Sequence, residues 1–253
     1  MTPARTSLPA ILERSRTAVL FGAGALDRIG RLVADAGGRR VLLVTDPGIV
    51  RAGHVDRAVR AITGADVRVE AFDGVEENPT TAHVERGVDA ARSLEADVLV
   101  GLGGGRSLDG AKGVNFLLTN GGLMKDYWGV GKATKPMLPM IAVPTTAGTG
   151  SEAQSFALIS DPDTKQKMAC GDPKAACRVA VLDPDLTRTQ PRAVASATGI
   201  DAVAHAVETA ASSKRNDVSL AFTREAWRLL DRAFDRAIVD PSDDEARADM
   251  LLG

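Results

Sequence analysis

Val98-Leu-Val-Gly-Leu-Gly-Gly-Gly-Arg-Ser-Leu-Asp-Gly-Ala-Lys112 is the stretch whose reading decides the fold. Its apolar start, residues 98–102, predicts a buried parallel strand, because strands covered on both faces lose the alternation of half-exposed ones. The run breaks on Gly103, Gly104 and Gly105, and helical spacing resumes through Leu108, Ala111 and Val114. A strand, a glycine turn and a helix N-terminus offer backbone N–H groups and the positive end of a helix dipole to an anion. Glycine lets a phosphate come close where a Cβ would hold it away. The spacing is not G-x-G-x-x-G, so the stretch alone reads equally as a phosphate cradle or as a tight strand–helix turn.

Upstream, the same alternation repeats. Residues 19–21 read as a strand entering the turn Gly22-Ala-Gly24, and Leu26, Ile29, Leu32 and Val33 follow with helical spacing. Residues 41–46 form a second apolar strand with Pro47-Gly48 as its exit turn. A helix is predicted near 53–63, a strand over 67–72, and a helix capped by Thr80 that runs to about Leu94. Strand and helix in strict alternation predict an α/β fold with a doubly wound parallel sheet. Downstream, 119–136 is looser, 140–144, 155–160 and 178–182 read as strands, and 161–177 is a turn-rich connection. Beyond Asp183-Pro-Asp-Leu-Thr187 strand-like runs disappear and helices are predicted over 191–212, 215–238 and 243–252. The boundary is placed at 187, dividing an α/β domain (1–187) from the start of an all-helical one (188–253).

Bulk properties narrow the classes. A net charge of −2 without a basic stripe argues against a nucleic-acid partner. Two cysteines, Cys170 and Cys177, exclude a disulfide framework, match no usual zinc spacing and read as free thiols of a reducing compartment. Residues 1–17 read as a short arm, and Met1 to Arg16 lacks the apolar core of a secretory leader. No apolar run is long enough to span a bilayer. The expected compartment is the cytoplasm.

Several polar residues stand where chemistry is done. Asp46, ending the second strand, suits the 2′-hydroxyl of an adenosine ribose and disfavours a 2′-phosphate, or it simply initiates the turn before Pro47. Asn78, in Glu77-Asn-Pro-Thr80, lies at another strand's C-terminal edge, as a nucleotide contact or a turn former. The loop Pro144-Thr-Thr-Ala-Gly-Thr-Gly-Ser-Glu152 is uniformly polar directly after a strand, which points to ligand contacts. Asp201 and His205 stand four apart in a helical stretch, on one face, and offer half of a site for Fe²⁺ or Zn²⁺. Glu208 continues that face. His54 and His83 read as surface or internally satisfied residues.

In combination and order, these pieces resemble the iron-containing alcohol dehydrogenases, relatives of glycerol dehydrogenase and dehydroquinate synthase. The resemblance rests on Phe21-Gly-Ala-Gly-Ala-Leu26, Val44-Thr-Asp46, Glu77-Asn-Pro-Thr80, Gly103-Gly-Gly-Arg-Ser-Leu-Asp-Gly-Ala-Lys112, Pro144-Thr-Thr-Ala-Gly-Thr-Gly-Ser-Glu152, Asp183-Pro-Asp-Leu-Thr187 and Gly199-Ile-Asp-Ala-Val-Ala-His205. It implies a Rossmann-like N-terminal domain that binds NAD in preference to NADP, a helical domain carrying the metal, and an active site between them. It implies pyrophosphate on Gly104 and Gly105 with Asp109 nearby, adenine-side and central contacts from Thr145, Thr146 and Thr149, ribose contacts from Lys167, and further cofactor contacts from Asn78 and Asp46. Asp201 and His205 match the first two metal ligands. The implied reaction is hydride transfer between NAD and a small alcohol or its carbonyl partner, in a homodimer or larger homo-oligomer. Two departures qualify it. Arg106 stands where the family has serine, and its guanidinium adds a charge beside the pyrophosphate or redirects the loop, with Ser107 able to supply the hydroxyl. The two later histidine ligands have no counterpart, since no histidine follows His205. The final run Ala246-Arg-Ala-Asp-Met-Leu-Leu252 reads as a helix cut in mid-run with an unpartnered apolar face. The alternatives are a non-catalytic NAD-binding fragment, a metal-independent reductase of unsaturated keto acids (maleylacetate reductase-like), and a carbocycle-forming lyase of the same fold.

Overall fold

The structure, a computed structural model, describes residues 16–76 and 78–253. The expected N-terminal arm therefore lies almost wholly outside the described residues, as does Glu77.

Six strands form one parallel sheet: β1 (Ala18–Phe21), β2 (Arg40–Val44), β3 (Arg68–Phe72), β4 (Val98–Gly103), β6 (Met140–Pro144) and β9 (Val179–Leu182), in the order β1-β9-β6-β4-β2-β3. Alternate side chains of the central strands leave opposite faces, as the pleat dictates. Val41, Leu43, Val98, Val100, Ile141 and Val143 pack with Ile29 and Val33 of helix α1 (Ile29–Asp35) and Val55, Ala58 and Ile62 of α3 (His54–Thr63). Leu42, Val44, Leu99, Met140 and Ala142 pack with Val84, Val88 and Leu94 of α4 (Thr81–Leu94) and Leu108, Ala111 and Val114 of α5 (Gly105–Asn120). Both faces are covered, so the fold is α/β and doubly wound, as the sequence predicts.

The order of strands places the site. β3 pairs with β2 on one side and β4 pairs with β2 on the other, so the winding reverses between β2 and β4. In open α/β sheets the crevice at the carboxyl ends of such a pair takes the ligand. Asp46 follows β2 there and the glycine turn follows β4.

Three expectations are corrected. Pro47-Gly48 is no exit turn but the start of a short helix, α2 (Pro47–Arg51), because Asp46 Oδ1 accepts from the N–H groups of Gly48 (2.9 Å) and Ile49 (3.3 Å) and caps it. The connection 161–177 contains a strand, β8 (Lys167–Gly171), which pairs antiparallel with β7 (Phe156–Ser160) and parallel with β5 (Gly129–Val130). This second sheet packs β7 on α5, a helix that the main sheet, the neighbouring helix and β7 together bury from residue 107 to 117. The strand escaped notice because the turn 161–166 and the exposed Lys167 dilute its pattern. The helices α6 (Arg192–Ala211), α7 (Asp217–Val239) and α8 (Asp244–Leu252) match the predicted spans. The apolar face of α8 has partners, however: Ala246 and Met250 join Ala202, Ala206, Leu230 and Ala233, and Leu251 reaches Ala180 and Leu182. Of the two alternatives for His54 and His83, the internally satisfied one holds, since both are buried. The His54 ring pairs with Thr189 Oγ1 (2.8 Å) and His83 Nδ1 accepts from Thr80 N–H (3.1 Å).

Cys170 and Cys177 are free buried thiols, and burial pushes each up to about 11. Among the described residues no helix is long and apolar enough to cross a membrane.

Candidate functional site

The glycine turn is closed by the loop that follows β6. Thr145 N–H donates to Gly103 O at 3.0 Å, so the loop leaves its strand directly over the turn. A Cβ on Gly104 would lie 3.4 Å from Thr146 Oγ1, and one on Gly105 would lie 3.0–3.1 Å from the Oγ1, Cβ and Cγ2 atoms of Thr149. The approach is tight at Gly105 and an ordinary contact at Gly104, and both positions leave the backbone bare for an anion. No side chain caps α5, whose N-cap is Gly104, and while Ser107 N–H donates to Gly104 O (3.0 Å), the N–H groups of Gly105 and Arg106 depend on another acceptor. The Oγ1 atoms of Thr146 and Thr149 are covered and have no hydrogen-bond partner. A buried hydroxyl without a partner is costly and seldom retained without a role. Uncapped helix, bare glycines and unsatisfied hydroxyls together fit the phosphates of a dinucleotide.

Asp46 reaches the same turn. Its Oδ2 accepts from Ser107 Oγ at 3.0 Å while Oδ1 caps α2. A carboxylate has about four acceptor positions, so one aspartate serves as cap and as anchor for Ser107 with acceptor capacity left over. Ser107 is buried. The hydroxyl expected one position earlier is therefore present but turned inward to Asp46, and the exposed Arg106 forms none of the described hydrogen bonds or ion pairs. Asn78 is exposed with φ +61°, which makes it a turn former as it stands. Lys167 is exposed at the start of β8, close enough to help hold the Asp109 carboxyl down.

Beneath the loop lies a buried polar cluster. Asp109 Oδ1 accepts from Ser151 Oγ at 2.5 Å. Lys112, fully buried, donates from Nζ to the carbonyls of Ser151 (2.5 Å), Gln154 (2.8 Å) and Phe156 (3.0 Å). Glu152 Oε2 is covered and unpartnered. Burial pushes the Asp109 and Glu152 carboxyls up and pulls the Lys112 ammonium down, while their mutual attraction opposes both trends.

The far side of the loop meets the helices. Gly148 has φ +135°, and a Cβ there would fall 1.8 Å from the Thr198 carbonyl oxygen of α6. Its own carbonyl lies 3.3 Å from His205 Nδ1. His205 Nε2 and Asp201 Oδ1 stand 3.7 Å apart on one face of α6, both half-exposed, and Glu208 on the same helix is exposed. Oxygen and imidazole nitrogen are suitable donors for Fe²⁺ or Zn²⁺. Among the described residues no third histidine, cysteine, aspartate or glutamate is grouped with them, so the pair by itself does not make a closed coordination sphere. A mainly apolar cavity of about 450 Å³ adjoins His205 and Glu152, walled by Ala202, Phe222, Leu229 and Leu251. It does not reach Gly104 or Gly105.

The structure thus gathers Asp46, Gly104, Gly105, Thr145, Thr146, Thr149 and Asp109 around one loop, with Asp201 and His205 at its far side. Asn78 and Lys167 stand at the margin. Sequence reasoning passed over Gly148, Ser151 and Lys112. The available signal was periodic: Gly105, Asp109 and Lys112 repeat at helical spacing, and a lysine on that face of a buried helix needs acceptors.

Fold and site define a class: a doubly wound α/β sheet whose strand-end loop is bolted to a helical region bearing a carboxylate–imidazole pair. The model of the iron-containing alcohol dehydrogenase family matches residues 16–184. Over 231 residues the chain is 38% identical to alcohol dehydrogenase 4 of Schizosaccharomyces pombe, covering 91% of this chain and 55% of that protein. It is 36% identical over 233 residues to the NAD-dependent methanol dehydrogenase of Bacillus methanolicus, covering 92% and 61%. A crystal structure of 1,3-propanediol oxidoreductase superposes with a TM-score of 0.90 at 35% identity, covering 93% of this chain and 62% of that one. The chain belongs to the iron-containing alcohol dehydrogenase family. It spans 55% to 62% of the length of these relatives.

Proposed function

We propose that this chain is the dinucleotide-binding domain (1–187) and the start of the metal-bearing helical domain (188–253) of an NAD-dependent alcohol dehydrogenase. One observation carries the reading. A single loop lays two unsatisfied threonine hydroxyls on the glycine turn and sets its Gly148 carbonyl against His205. Cofactor cradle and metal-ligand pair are thereby held on opposite sides of one short segment, as transfer between a bound dinucleotide and a bound alcohol requires.

Gly104, Gly105 and the N-terminus of α5 would take the pyrophosphate, Thr145, Thr146 and Thr149 the middle of the cofactor, and Asp46 a ribose hydroxyl, which favours NAD over NADP. Arg106 adds a positive charge beside the phosphates, and Asn78 and Lys167 complete the outer contacts. Asp201 and His205 would hold iron, or zinc in its place, together with donors outside the described set. Such a metal supplies Lewis acidity to the oxygen of a small alcohol or carbonyl substrate. Likeness to the family also supports a homodimer or larger homo-oligomer, and two free thiols support the cytoplasm.

Titration of the purified protein with NADH by fluorescence, followed by alcohol oxidation assays with and without added Fe²⁺ or Zn²⁺, tests the reading. Saturable NADH binding is expected, tighter than NADPH, and absence of NADH binding overturns it. A second reading, a nucleotide-binding chain without turnover, is favoured by the missing third metal donor. Binding without metal-dependent oxidation, together with weak metal retention, decides for it.

A further inference from the structure

The 145–155 loop follows one face of α5 along its length. Gly105, Asp109 and Lys112 stack at intervals of four and three residues, on one side of the helix. Each meets the loop in turn: Gly105 at Thr149, Asp109 at the Ser151 hydroxyl, and Lys112 at the carbonyls of Ser151, Gln154 and Phe156. Lys112 Nζ lies also 3.3 Å from Ser151 Oγ. A rigid helix thereby sets the course of a segment that has no regular structure of its own.

Three carbonyls converging on one ammonium is a specific arrangement. Lysine has three donors, and here all three go to backbone acceptors in the 151–156 segment. The groups that face this ammonium are Asp109 on α5, Glu152 in the loop and Cys177 before β9, with Lys167 of β8 near Asp109. None of the three is bonded to the ammonium itself, so its hydrogen bonds are spent on the loop's path rather than on an ion pair. The cradle and the strap share one helix: Gly105 at its first residue receives the phosphates in the reading above, and Lys112 two turns deeper fixes the loop that carries Thr146 and Thr149.

We propose that Lys112 is a positioning residue for dinucleotide binding: by tying three carbonyls of residues 151–156 it holds the preceding threonines against the glycine turn and Gly148 against α6. The inference rests on the proposed function, and touches cofactor and substrate only through the loop. Removing the ammonium leaves three carbonyls unsatisfied and frees the loop to rise from the turn, while the sheet and α5 keep their apolar packing.

The test compares Lys112→Met with Leu94→Ala, a core truncation on α4 remote from the loop, in the full chain at temperatures set equally far below each variant's own melting point. Two readouts are taken: NADH affinity by fluorescence, and hydrogen exchange of the 145–155 amides relative to those of β4. Lys112→Met is expected to weaken NADH binding at least tenfold and to speed loop exchange at least tenfold with β4 unchanged, while Leu94→Ala leaves both within twofold. NADH affinity and loop exchange within twofold of wild type in Lys112→Met overturn the inference, as does an equal loss of affinity in Leu94→Ala. If Lys112→Met does not fold, Lys112→Gln, whose amide keeps at most two of the three ties, is read the same way. If the wild type binds no NADH, the proposed function fails; the exchange comparison still judges the tie by itself.

Discussion

Gly105 is the residue at which the loop and the turn come closest, and the demand on it is steric. Valine there would place its first carbon 3.0 Å from Thr149 Oγ1 and add two methyl groups to an already tight contact. We expect Gly105→Val to lower NADH affinity by more than tenfold while the far-ultraviolet spectrum is retained; calorimetric titration showing unchanged affinity contradicts the cradle. Asp172, buried beside the small sheet, supplies a pH test. Burial raises its carboxyl, but N–H donations from Lys174 (3.0 Å) and Ala133 (3.1 Å) and the Lys174 ammonium outweigh this and leave it below its ordinary value. A group lowered on folding stabilises the fold above its unfolded value, about 3.9, and that contribution fades as pH falls through the folded value. Asp172→Asn is therefore expected to cost about 2 kcal/mol at neutral pH and progressively less below about pH 4. Urea midpoints of both proteins across that range check it, and a gap that widens in acid contradicts it.

The 145–155 loop is the element on which the candidate site depends, and Gly148 is where it is pinned to α6. Its φ of +135° and the 1.8 Å approach to Thr198 O leave no room for a methyl group. Gly148→Ala should cost about 2–4 kcal/mol through strain and displacement, measured by urea unfolding. It should also weaken NADH binding, because the loop must then leave either the helix or the turn; an unchanged midpoint would show that the two are not held together. Elements also show how far sequence reading reached. The buried strands 98–102 and 140–144 and the helix after Thr80 were legible because burial on two faces and a capping residue are local properties. The strand Lys167–Gly171 was not, because a short strand that opens on an exposed lysine is stabilised by its partners β5 and β7 rather than by its own pattern. Asp46 was legible as a residue of interest, but its capping of α2 depends on how the chain turns after β2.

At the scale of the whole molecule, binding and folding are linked. A ligand that binds only the folded state stabilises it by an amount that grows with the logarithm of its concentration over its dissociation constant. NADH at a hundred times its dissociation constant should raise the unfolding free energy by about 2.7 kcal/mol. Thermal melts followed at increasing NADH test this, and a melting point independent of NADH counts against the cradle.

The sequence by itself determined the α/β class, the winding of the sheet, the helical character of the last quarter and the residues around the glycine turn. These follow from periodicity, glycine placement and short ordered motifs, all of which act between near neighbours in the chain. Only the tertiary structure decided that the 145–155 loop lies between glycine turn and α6, that Lys112 spends its ammonium on three loop carbonyls, and that Asp201 and His205 gather no third donor among the described residues. Those facts depend on side chains distant in sequence meeting across a folded core, and no local pattern encodes a meeting of that kind.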